Sequence, residues 1–336
     1  MSDRICLRWD EPRIQILQRL WQNQGIPVSG EEICGQLGLT RTAVWKHVQA
    51  MRERGIPIES RNRQGYWISS GSRAYLPEWV VVGRAERQIG RIACFQNEVA
   101  STNDLARQMA VEGYEEGTIV FCESQIKGRG RSGKSWFSPA GRSIYVSVIL
   151  RPSMPLHLAP QLTLMAAVAV ANGIRAYPEL QRTQIKWPND ILLDGKKLCG
   201  ILTELVGQPE NLEFVIVGIG LNVNGKTEEF PPEVRERAVT MEACAGRTFD
   251  RMDVLLRILE ELEGAYRLLQ AGRFEDIRQQ WLTLNGTLGR EIVVRQGERQ
   301  LKGLAESLDE SGALMLRLKD GSLCPVVAGE IDLQRG

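Results

Sequence analysis

The sequence predicts an α+β multidomain protein: a small helical domain, a central mixed β-sheet with helices, and a small C-terminal β-barrel. Short amphipathic helices come first in the chain. Strands then alternate with helices and give way to consecutive strands, and short strands with Gly-rich turns end the chain. At 336 residues the chain is too long for one ordinary core, so two or three domains are expected.

The first segment has the pattern of a helix-turn-helix. Apolar residues recur at helical spacing from Pro12 to Trp21. Ser29 is predicted to cap a second helix that ends near Gly38. Thr40 is predicted to cap a third helix, which Gly55 terminates. Two short helices joined by a tight turn favour a DNA-binding module.

A predicted hairpin over residues 56–68 completes a module that resembles a winged helix. The module is locally basic, whereas the whole chain has a net charge of only +1. DNA is the natural anionic partner of such a region, and a small helical protein-interaction module is the alternative. The side chains expected to face DNA are Arg41, Thr42, Lys46 and His47 of the third helix and Arg61 and Arg63 of the wing.

Turn residues divide the rest of the chain. Residues 69–73 are small and polar and are typical of a linker, and residues 225–247 have the composition of a loop. Strands are predicted over 92–98, 118–123, 143–150, 183–186, 191–193, 201–206 and 214–221, and helices from Thr102 and over 158–174, 252–269 and 274–284. The predicted domains are 1–69, a linker over 70–84, 85–284 and 285–336.

The loop from Gly128 to Ser138 satisfies the phosphate-binding pattern G-x-x-x-x-G-K-[ST]. A P-loop needs a helix directly after it, but the β-branched run that follows here predicts a strand. Arg129, Arg131 and Lys134 stand among glycines, which would let the loop close over an anion. The loop is therefore either a mobile phosphate clamp or a solvated basic loop.

A second segment, Ile185 to Leu193, holds one lysine and an Asn-Asp pair in an apolar setting. Trp187-Pro188 cannot continue a helix, so Lys186 is predicted to end a strand. A lysine in this position is either a structural ion-pair partner or a charge held to face a reacting anion.

These two segments, together with Leu198 to Glu204 and Val217 to Asn222, resemble the biotin–protein ligases. In that family G-R-G-R, K-W-P-N-D, K-[LX]-x-G-I-L-x-E and G-x-N recur in this order. The resemblance runs from about Ser101 to the C-terminus, and the N-terminal module extends it to the bifunctional ligases that also repress biotin genes. It implies a class II synthetase-like catalytic fold of the biotin/lipoate ligase type and an SH3-like C-terminal domain.

The resemblance also implies the site residues. Biotin would contact Ser101, Thr102, Asn103, Gln125, Arg129, Gly130, Arg131 and Lys186, and the catalytic residues would be Lys186, Arg131 and Arg129. The nucleotide is expected near Lys134, Trp136, Asn189, Asp190 and Asn222. Asp190 is either a general base or a turn-capping carboxylate. Ser132 and Lys134 stand where the family often has further arginines, which reduces the charge of the clamp by one.

The implied reaction activates biotin with ATP and Mg²⁺ as biotinyl-5′-AMP and transfers it to a lysine of a biotin carboxyl carrier protein, an acetyl-CoA carboxylase subunit. The same adenylate would act as co-repressor at operator DNA, on a ligand-promoted homodimer. No carboxylate cluster in the sequence identifies a dedicated metal site. A lipoate–protein ligase and a ligand-sensing transcription factor with a decayed ligase site are the alternatives.

The composition favours a cytoplasmic protein without a membrane partner. The seven cysteines form no C-x-x-C pair, lie in apolar neighbourhoods and are predicted to be reduced. No apolar signal run follows the first residues. The most apolar stretch, residues 158–174, is interrupted by polar residues and suits a buried helix better than a membrane segment.

Overall fold

The computed structural model describes residues 4–23, 25–69, 73–84 and 86–333. Its N-terminal module is the predicted helix-turn-helix with a wing. Ser29 Oγ accepts a hydrogen bond from the Glu32 amide at 3.0 Å, and Thr40 caps the third helix in the same way. Gly38 ends the second helix with φ 66°. The elements up to residue 69 are β1 Ile5–Arg8, α1 Pro12–Gln22, α2 Gly30–Leu37, α3 Arg41–Glu53, β2 Ile58–Arg61 and β3 Gly65–Ile68.

A single eight-stranded sheet forms the centre of the molecule. Its other strands are β4 Ile92–Val99, β5 Ile119–Gln125, β6 Ile144–Leu150, β7 Thr183–Lys186, β8 Asp190–Leu193, β9 Lys196–Gln208 and β10 Asn211–Leu221. The strand order is β1-β4-β5-β6-β10-β9-β8-β7. Every neighbouring pair is antiparallel except β4 with β5. The prediction of a mixed, mostly antiparallel sheet is confirmed.

Helices cover both faces of this sheet. They are α4 Pro77–Arg84, α5 Thr102–Val111, α6 Pro160–Arg175, α7 Pro232–Arg235, α8 Met241–Ala245, α9 Arg251–Gln270 and α10 Phe274–Thr283. On β10, Phe214 and Ile216 pack with α5, whereas Val215, Val217 and Ile219 belong to the larger core with α6 and α9. Successive side chains of a strand point to opposite faces, so one strand serves both layers.

Helix α6 is the predicted buried helix. Residues Leu156–Arg175 have a mean hydropathy of 1.2, and among the described residues this helix alone is long and apolar enough to cross a membrane. However, 72% of that window is buried inside the protein. A helix that is apolar on all sides and packed against a sheet and another helix is typical of a protein core.

Three predicted boundaries differ from the structure. Strand β1, predicted to lie within the N-terminal domain, is the edge strand of the central sheet, with Ile5 opposite Phe95. The predicted linker over 70–84 contains helix α4, while residues 70–72 lie outside the described residues. The predicted loop over 225–247 contains α7 and α8. All of these elements are short, and a few residues give little periodicity to detect.

The prediction that all seven cysteines are reduced is wrong for one pair. Cys6 of β1 and Cys94 of β4 face each other across the strand pair and form a disulfide. Cys122 and Cys199 are free and buried, and Cys34, Cys244 and Cys324 are free and half-buried. The pairing depends on β1 joining the central sheet, which the sequence pattern did not indicate.

The C-terminal region forms a separate antiparallel sheet of five strands. The strands are β11 Glu291–Gln296, β12 Arg299–Leu308, β13 Leu314–Arg317, β14 Leu323–Val326 and β15 Glu330–Leu333. Their order is β14-β13-β12-β11-β15. The predicted small β-domain of short strands is confirmed.

The N-terminal module is packed against the rest of the protein through α4. The side chain of Arg54, at the end of α3, forms a two-pronged ion pair with Glu78 of α4, and Glu78 is fully buried. Trp21 and Trp79 pack edge to face with ring centroids 5.4 Å apart. The Arg73 guanidinium lies 4.4 Å from the Trp21 ring. These contacts fix the end of α3 relative to the central sheet.

We expect Arg54→Met to lower the free energy of unfolding by about 3 kcal/mol, because it leaves the Glu78 carboxylate buried without a counter-charge. The double variant Arg54→Met, Glu78→Met removes both charges and should recover most of that loss. Urea unfolding followed by circular dichroism measures both effects. A single variant as stable as the double variant would show that this ion pair does not hold the module in place.

Candidate active site and DNA-facing surface

The start of α5 and the neighbouring strands form a cluster of amides, hydroxyls and one carboxylate, in which Thr102, Asn103 and Ser147 are buried. We call Thr102, Asn103, Gln125, Ser147 and Glu204 the amide cluster. Gln125 Oε1 accepts from the Thr102 amide at 2.9 Å, and the Ser147 hydroxyl lies 2.6 Å from Asn103 Oδ1. Asn103 Nδ2 donates to Glu204 Oε2 at 2.6 Å. Ser101, the N-cap residue of α5, is also buried, so the four predicted biotin-pocket residues lie together.

Glycines on β9 and β10 create the space that this cluster needs. A Cβ at Gly218 would lie 2.0 Å from Asn103 Oδ1, so no other residue fits there. Two residues further along β10, a Cβ at Gly220 would lie 2.6 Å from Trp136 Nε1. A Cβ at Gly200 of β9 would lie 3.1 Å from the same indole ring. The bare backbone of these two strands is therefore the floor of the site.

The loop from Gly128 to Ser138 is folded back on itself. The Gly130 amide donates to the Lys134 carbonyl at 2.7 Å, and the Trp136 amide donates to the Gly128 carbonyl at 2.8 Å. Only the short 3-10 turn Arg131–Gly133 is helical. Strand β6 follows the loop, which confirms the prediction that this sequence is not a P-loop.

The two loop arginines point to different parts of the site. Arg129 Nη2 donates to Asp104 Oδ1 at 2.6 Å and to Glu204 Oε1 at 3.0 Å, so it joins the amide cluster. Arg131 Nη1 donates to Asn189 Oδ1 at 3.2 Å and to the Gly329 carbonyl at 3.2 Å. Burial lowers the pKa of Arg131, partly offset by Asp190, yet an arginine stays charged.

Lys186 ends β7, as predicted, and its partner across the β7–β8 hairpin is Asp190. The Asp190 carboxylate lies 3.8 Å from Lys186 Nζ and 2.6 Å from Lys197 Nζ. Burial lowers the pKa of Lys186, the Asp190 carboxylate opposes that shift, and the Lys197 ammonium adds to it. We call Arg131, Lys186, Asn189, Asp190 and Lys197 the charged cluster.

Trp187 fixes the position of the charged cluster. Its side chain is almost fully buried, its amide donates to Thr287 Oγ1 at 2.9 Å, and its indole N–H donates to the Gly312 carbonyl at 3.3 Å. The residue next to Lys186 is thus anchored on the C-terminal region. Such anchoring positions the neighbouring Lys186 side chain without using the hydrogen bonds of Lys186 itself.

Trp136 lies between the two clusters. Its ring rests over the glycines of β9 and β10, and Lys197 Nζ lies 5.3 Å from the ring centroid. The indole N–H is buried and has no hydrogen-bond partner among the described residues. An unpaired buried donor is costly, so this position of the loop is one that a bound molecule could displace.

Among the described residues, two predicted nucleotide residues form no side-chain hydrogen bond or ion pair with the charged cluster. Lys134 forms an exposed ion pair with Glu330 of β15. The Asn222 side chain is buried and donates to the Val239 carbonyl at 3.2 Å. Trp136, Asn189 and Asp190 do lie at the site.

Sequence reasoning missed Lys197, Glu204 and Ser147. The first two stand at the ends of the K-L-C-G-I-L-T-E run, which the resemblance identified without assigning them roles. The register of β8 and β9 explains the position of Lys197. Asp190 of β8 pairs with Gly200 of β9, so the start of β9, which carries Lys197, lies beside the β7–β8 hairpin. Ser147 had no sequence signal, because a lone serine in an apolar strand is common.

The cationic side chains of the N-terminal module fall into two groups, those held by contacts within the protein and those exposed on the surface. Arg52 donates to the Ile58 carbonyl at 2.7 Å and to Ser60 Oγ at 2.8 Å, which ties the wing to α3. Arg54 is held by Glu78, as described above. Neither of these arginines was predicted to face DNA. Of the six side chains that were, His47 is half-buried, and the other five are exposed: Arg41, Thr42, Lys46, Arg61 and Arg63. Successive side chains of an α-helix are about 100° apart, so His47 points to a different side of α3 from Lys46.

Three family models match the chain. A model described as the biotin/lipoate A/B protein ligase family matches residues 95–222. A model described as an HTH domain matches residues 12–67, and a biotin protein ligase C terminal domain matches residues 287–334. The first span covers most of the central sheet but not β1, the second covers the winged module, and the third covers the C-terminal sheet.

Individual proteins agree with the family models. The chain is 36% identical over 306 residues to the bifunctional ligase/repressor BirA of Bacillus spizizenii, covering 91% of this chain and 94% of that protein. It is 29% identical to BirA of Escherichia coli, covering 91% and 92%. The solved biotin protein ligase from Aquifex aeolicus in complex with biotin and ATP has a TM-score of 0.63 and 30% identity, covering 73% of this chain and 99% of that chain. The chain therefore belongs to the biotin protein ligase family, in its bifunctional ligase/repressor group.

Proposed function

We propose that this biotin ligase works in two steps. The biotin carboxylate attacks the α-phosphorus of ATP and gives biotinyl-5′-AMP and pyrophosphate; a lysine of a biotin carboxyl carrier protein then displaces AMP. A carboxylate is a poor acylating agent at neutral pH, so it needs such a leaving group. The convergence of Arg131 and Lys186, from distant parts of the chain, on the Asn189–Asp190 turn carries this proposal.

The amide cluster is proposed to hold the polar ring of biotin. That ring is a neutral cyclic urea, which both donates and accepts hydrogen bonds. The amides and hydroxyls of the cluster can both donate to and accept from such a group, and the charge of Glu204 is paired with that of Arg129. Thr102 and Asn103 are each only 4% exposed, so their polar groups are shielded from water.

The charged cluster is proposed to hold the reacting carboxylate and phosphates. Adenylation brings several anionic oxygens together, and cations fixed in a partly buried site oppose their repulsion. Lys186 and Lys197 share one carboxylate, so the two lysines carry net positive charge that an incoming anion can neutralise. Arg131 adds a third cation from the loop.

ATP is proposed to enter as its Mg²⁺ complex. Among the described residues no group of three or more His, Cys, Asp or Glu side chains could hold a metal ion. Mg²⁺ usually keeps several waters and binds phosphate oxygens. We therefore assign the ion to the substrate.

The Gly128–Ser138 loop is proposed to close over the adenylate. The intermediate is a mixed anhydride that water would hydrolyse, so the site must exclude water after the first step. Arg129 contacts the amide cluster and Arg131 belongs to the charged cluster, so one loop spans both ends of the bound molecule. Moving the loop would also take Trp136 out of the position in which its indole N–H has no hydrogen-bond partner among the described residues.

Asp190 is better suited to positioning than to proton transfer. A general base for the acceptor lysine needs a carboxylate that is free to take a proton. The Asp190 carboxylate already lies 2.6 Å from Lys197 Nζ and 3.8 Å from Lys186 Nζ, so it is occupied by these two ammonium groups. We propose that it aligns Lys186 and Lys197. This role differs from both roles expected from the sequence, a general base and a turn-capping carboxylate.

The winged module is proposed to repress biotin biosynthesis genes at operator DNA, with biotinyl-5′-AMP as co-repressor. Scarce acceptor protein would leave the adenylate bound, and bound adenylate would favour a homodimer whose two winged helices span two half-sites. Abundant acceptor would consume the ligand and release the DNA. Both functions use ATP or chromosomal DNA, which supports a cytoplasmic location.

Lys186→Ala should reduce biotin-dependent pyrophosphate release from ATP by at least about 100-fold, because it removes a fixed cation from the reacting anions. Lys196→Ala is the matched control, since Lys196 is exposed and one residue from Lys197. The assay is run with biotin and, separately, with lipoate. Undiminished release in Lys186→Ala would remove Lys186 from the mechanism, and release with lipoate alone would replace biotin as substrate.

Arg131→Gly should still form the adenylate but release it, because the loop loses its contact with Asn189. The expected result is biotin on lysines of an unrelated protein added to the reaction, detected with labelled biotin. Arg142→Gly is the control, because Arg142 pairs with Glu229 outside both clusters. Equal bystander labelling by the wild type and Arg131→Gly would contradict the lid.

Biotin and ATP together should increase self-association of the wild-type chain. Sedimentation velocity measures this as a larger sedimentation coefficient. Lys186→Ala, which is expected to form no adenylate, should not respond. An unchanged coefficient for the wild type would remove the proposed dimer, as would an equal response from Lys186→Ala.

A further inference from the structure

An exposed tryptophan, Trp45, lies in the middle of α3, the second helix of the helix-turn-helix. The other large apolar side chains of α3, Val44, Val48 and Met51, are at most 1% exposed, whereas Trp45 is 51% exposed. A single exposed apolar side chain is common and means nothing by itself. The surroundings of Trp45 are what distinguish it.

Trp45 belongs to a continuous stripe on the outer face of α3. Residues three and four apart on a helix are neighbours, which places Arg41 and Thr42 before Trp45 and Gln49 after it. Lys46 lies on the same side at about 100° per residue. The stripe of Arg41, Thr42, Trp45, Lys46 and Gln49 has no carboxylate of its own, and all but the half-buried Gln49 are exposed. Arg41 lies 3.4 Å from Glu31 of α2 in an ion pair whose two side chains are both highly exposed.

The positive charge around this stripe indicates which kind of partner it binds. Arg61 and Arg63 on the exposed wing tip add two more cations beside α3. Arg52, which ties the wing to α3, fixes the distance between the wing and the stripe. A polyanion fits this surface, and the first half of a recognition helix is the part that reaches base edges in the major groove.

We propose that Trp45 is a specificity-determining residue that reads thymine by packing its indole against the 5-methyl group. Thymine is the base that presents an apolar group in the major groove, and apolar side chains contact that group. The other members of the stripe are all polar or charged. Gln49, one turn further on, has the amide that pairs with adenine N6 and N7, so the stripe suits A·T pairs.

The inference rests on the proposed DNA-binding role, and a randomised duplex library tests both. The full-length chain, with biotin and ATP, selects from a library made with thymine and from one made with deoxyuridine, which lacks only the methyl group. The wild type should select thymine at fixed positions. Its best duplex should bind about fourfold more weakly for each contacted methyl removed, the cost of one buried methylene.

Three variants separate the possible roles of Trp45. Trp45→Ala should bind the selected duplex more weakly and lose its sensitivity to deoxyuridine, and Trp45→Phe should keep part of that sensitivity. Arg61→Ala should weaken binding to both libraries equally, as a phosphate contact does. Ile26→Ala is the control: Ile26 is 64% exposed in the same module but lies outside α3, so binding should not change.

Each failure points to a different error. A wild-type chain that selects no sequence overturns the DNA-binding role and this inference with it. Selection by the wild type that Trp45→Ala reproduces, with the same deoxyuridine sensitivity, overturns only the inference. Loss of self-association in Trp45→Ala, with its sequence preference intact, would assign the indole to a second copy of the chain instead.

Discussion

One carboxylate between two ammonium groups holds the active site together. Asp190 binds Lys197 at 2.6 Å and lies 3.8 Å from Lys186, in a region from which much of the water is excluded. Without it the two lysines would repel each other and turn towards solvent. With it they stay close, and their combined charge still exceeds that of their partner. The charged cluster therefore keeps both lysines in place while its net charge stays positive.

The absence of side chains matters as much as their presence. Gly200, Gly218 and Gly220 clear one face of β9 and β10, and the space they leave is filled by Asn103 and Trp136. Because the opposite face of these strands is packed on α6 and α9, the backbone is rigid there. If the loop above this rigid floor moves as proposed, the site combines precise alignment with access for a large acceptor protein.

Much of this could be predicted from the sequence, and the exceptions share a cause. Caps such as Ser29 and Thr40, and the strand that ends at Lys186, follow from local patterns. The meeting of Arg131 with Lys186 followed from family resemblance, since no spacing rule brings such distant residues together. Lys197 and β1 were missed because their roles depend on strand register and sheet order, which are long-range properties.

The path of the chain through β1 has a consequence for how the two activities are joined. The winged module is inserted between β1 and α4, so it is attached to the ligase at both of its ends, and Cys6–Cys94 fastens one of them. Truncation at residue 73 would strip the ligase of its outermost strand and leave the backbone groups of β4 open to pairing with other chains. In this protein the segment that carries the winged module also supplies a strand of the ligase sheet. A smaller descendant with only the ligase would need another edge strand beside β4.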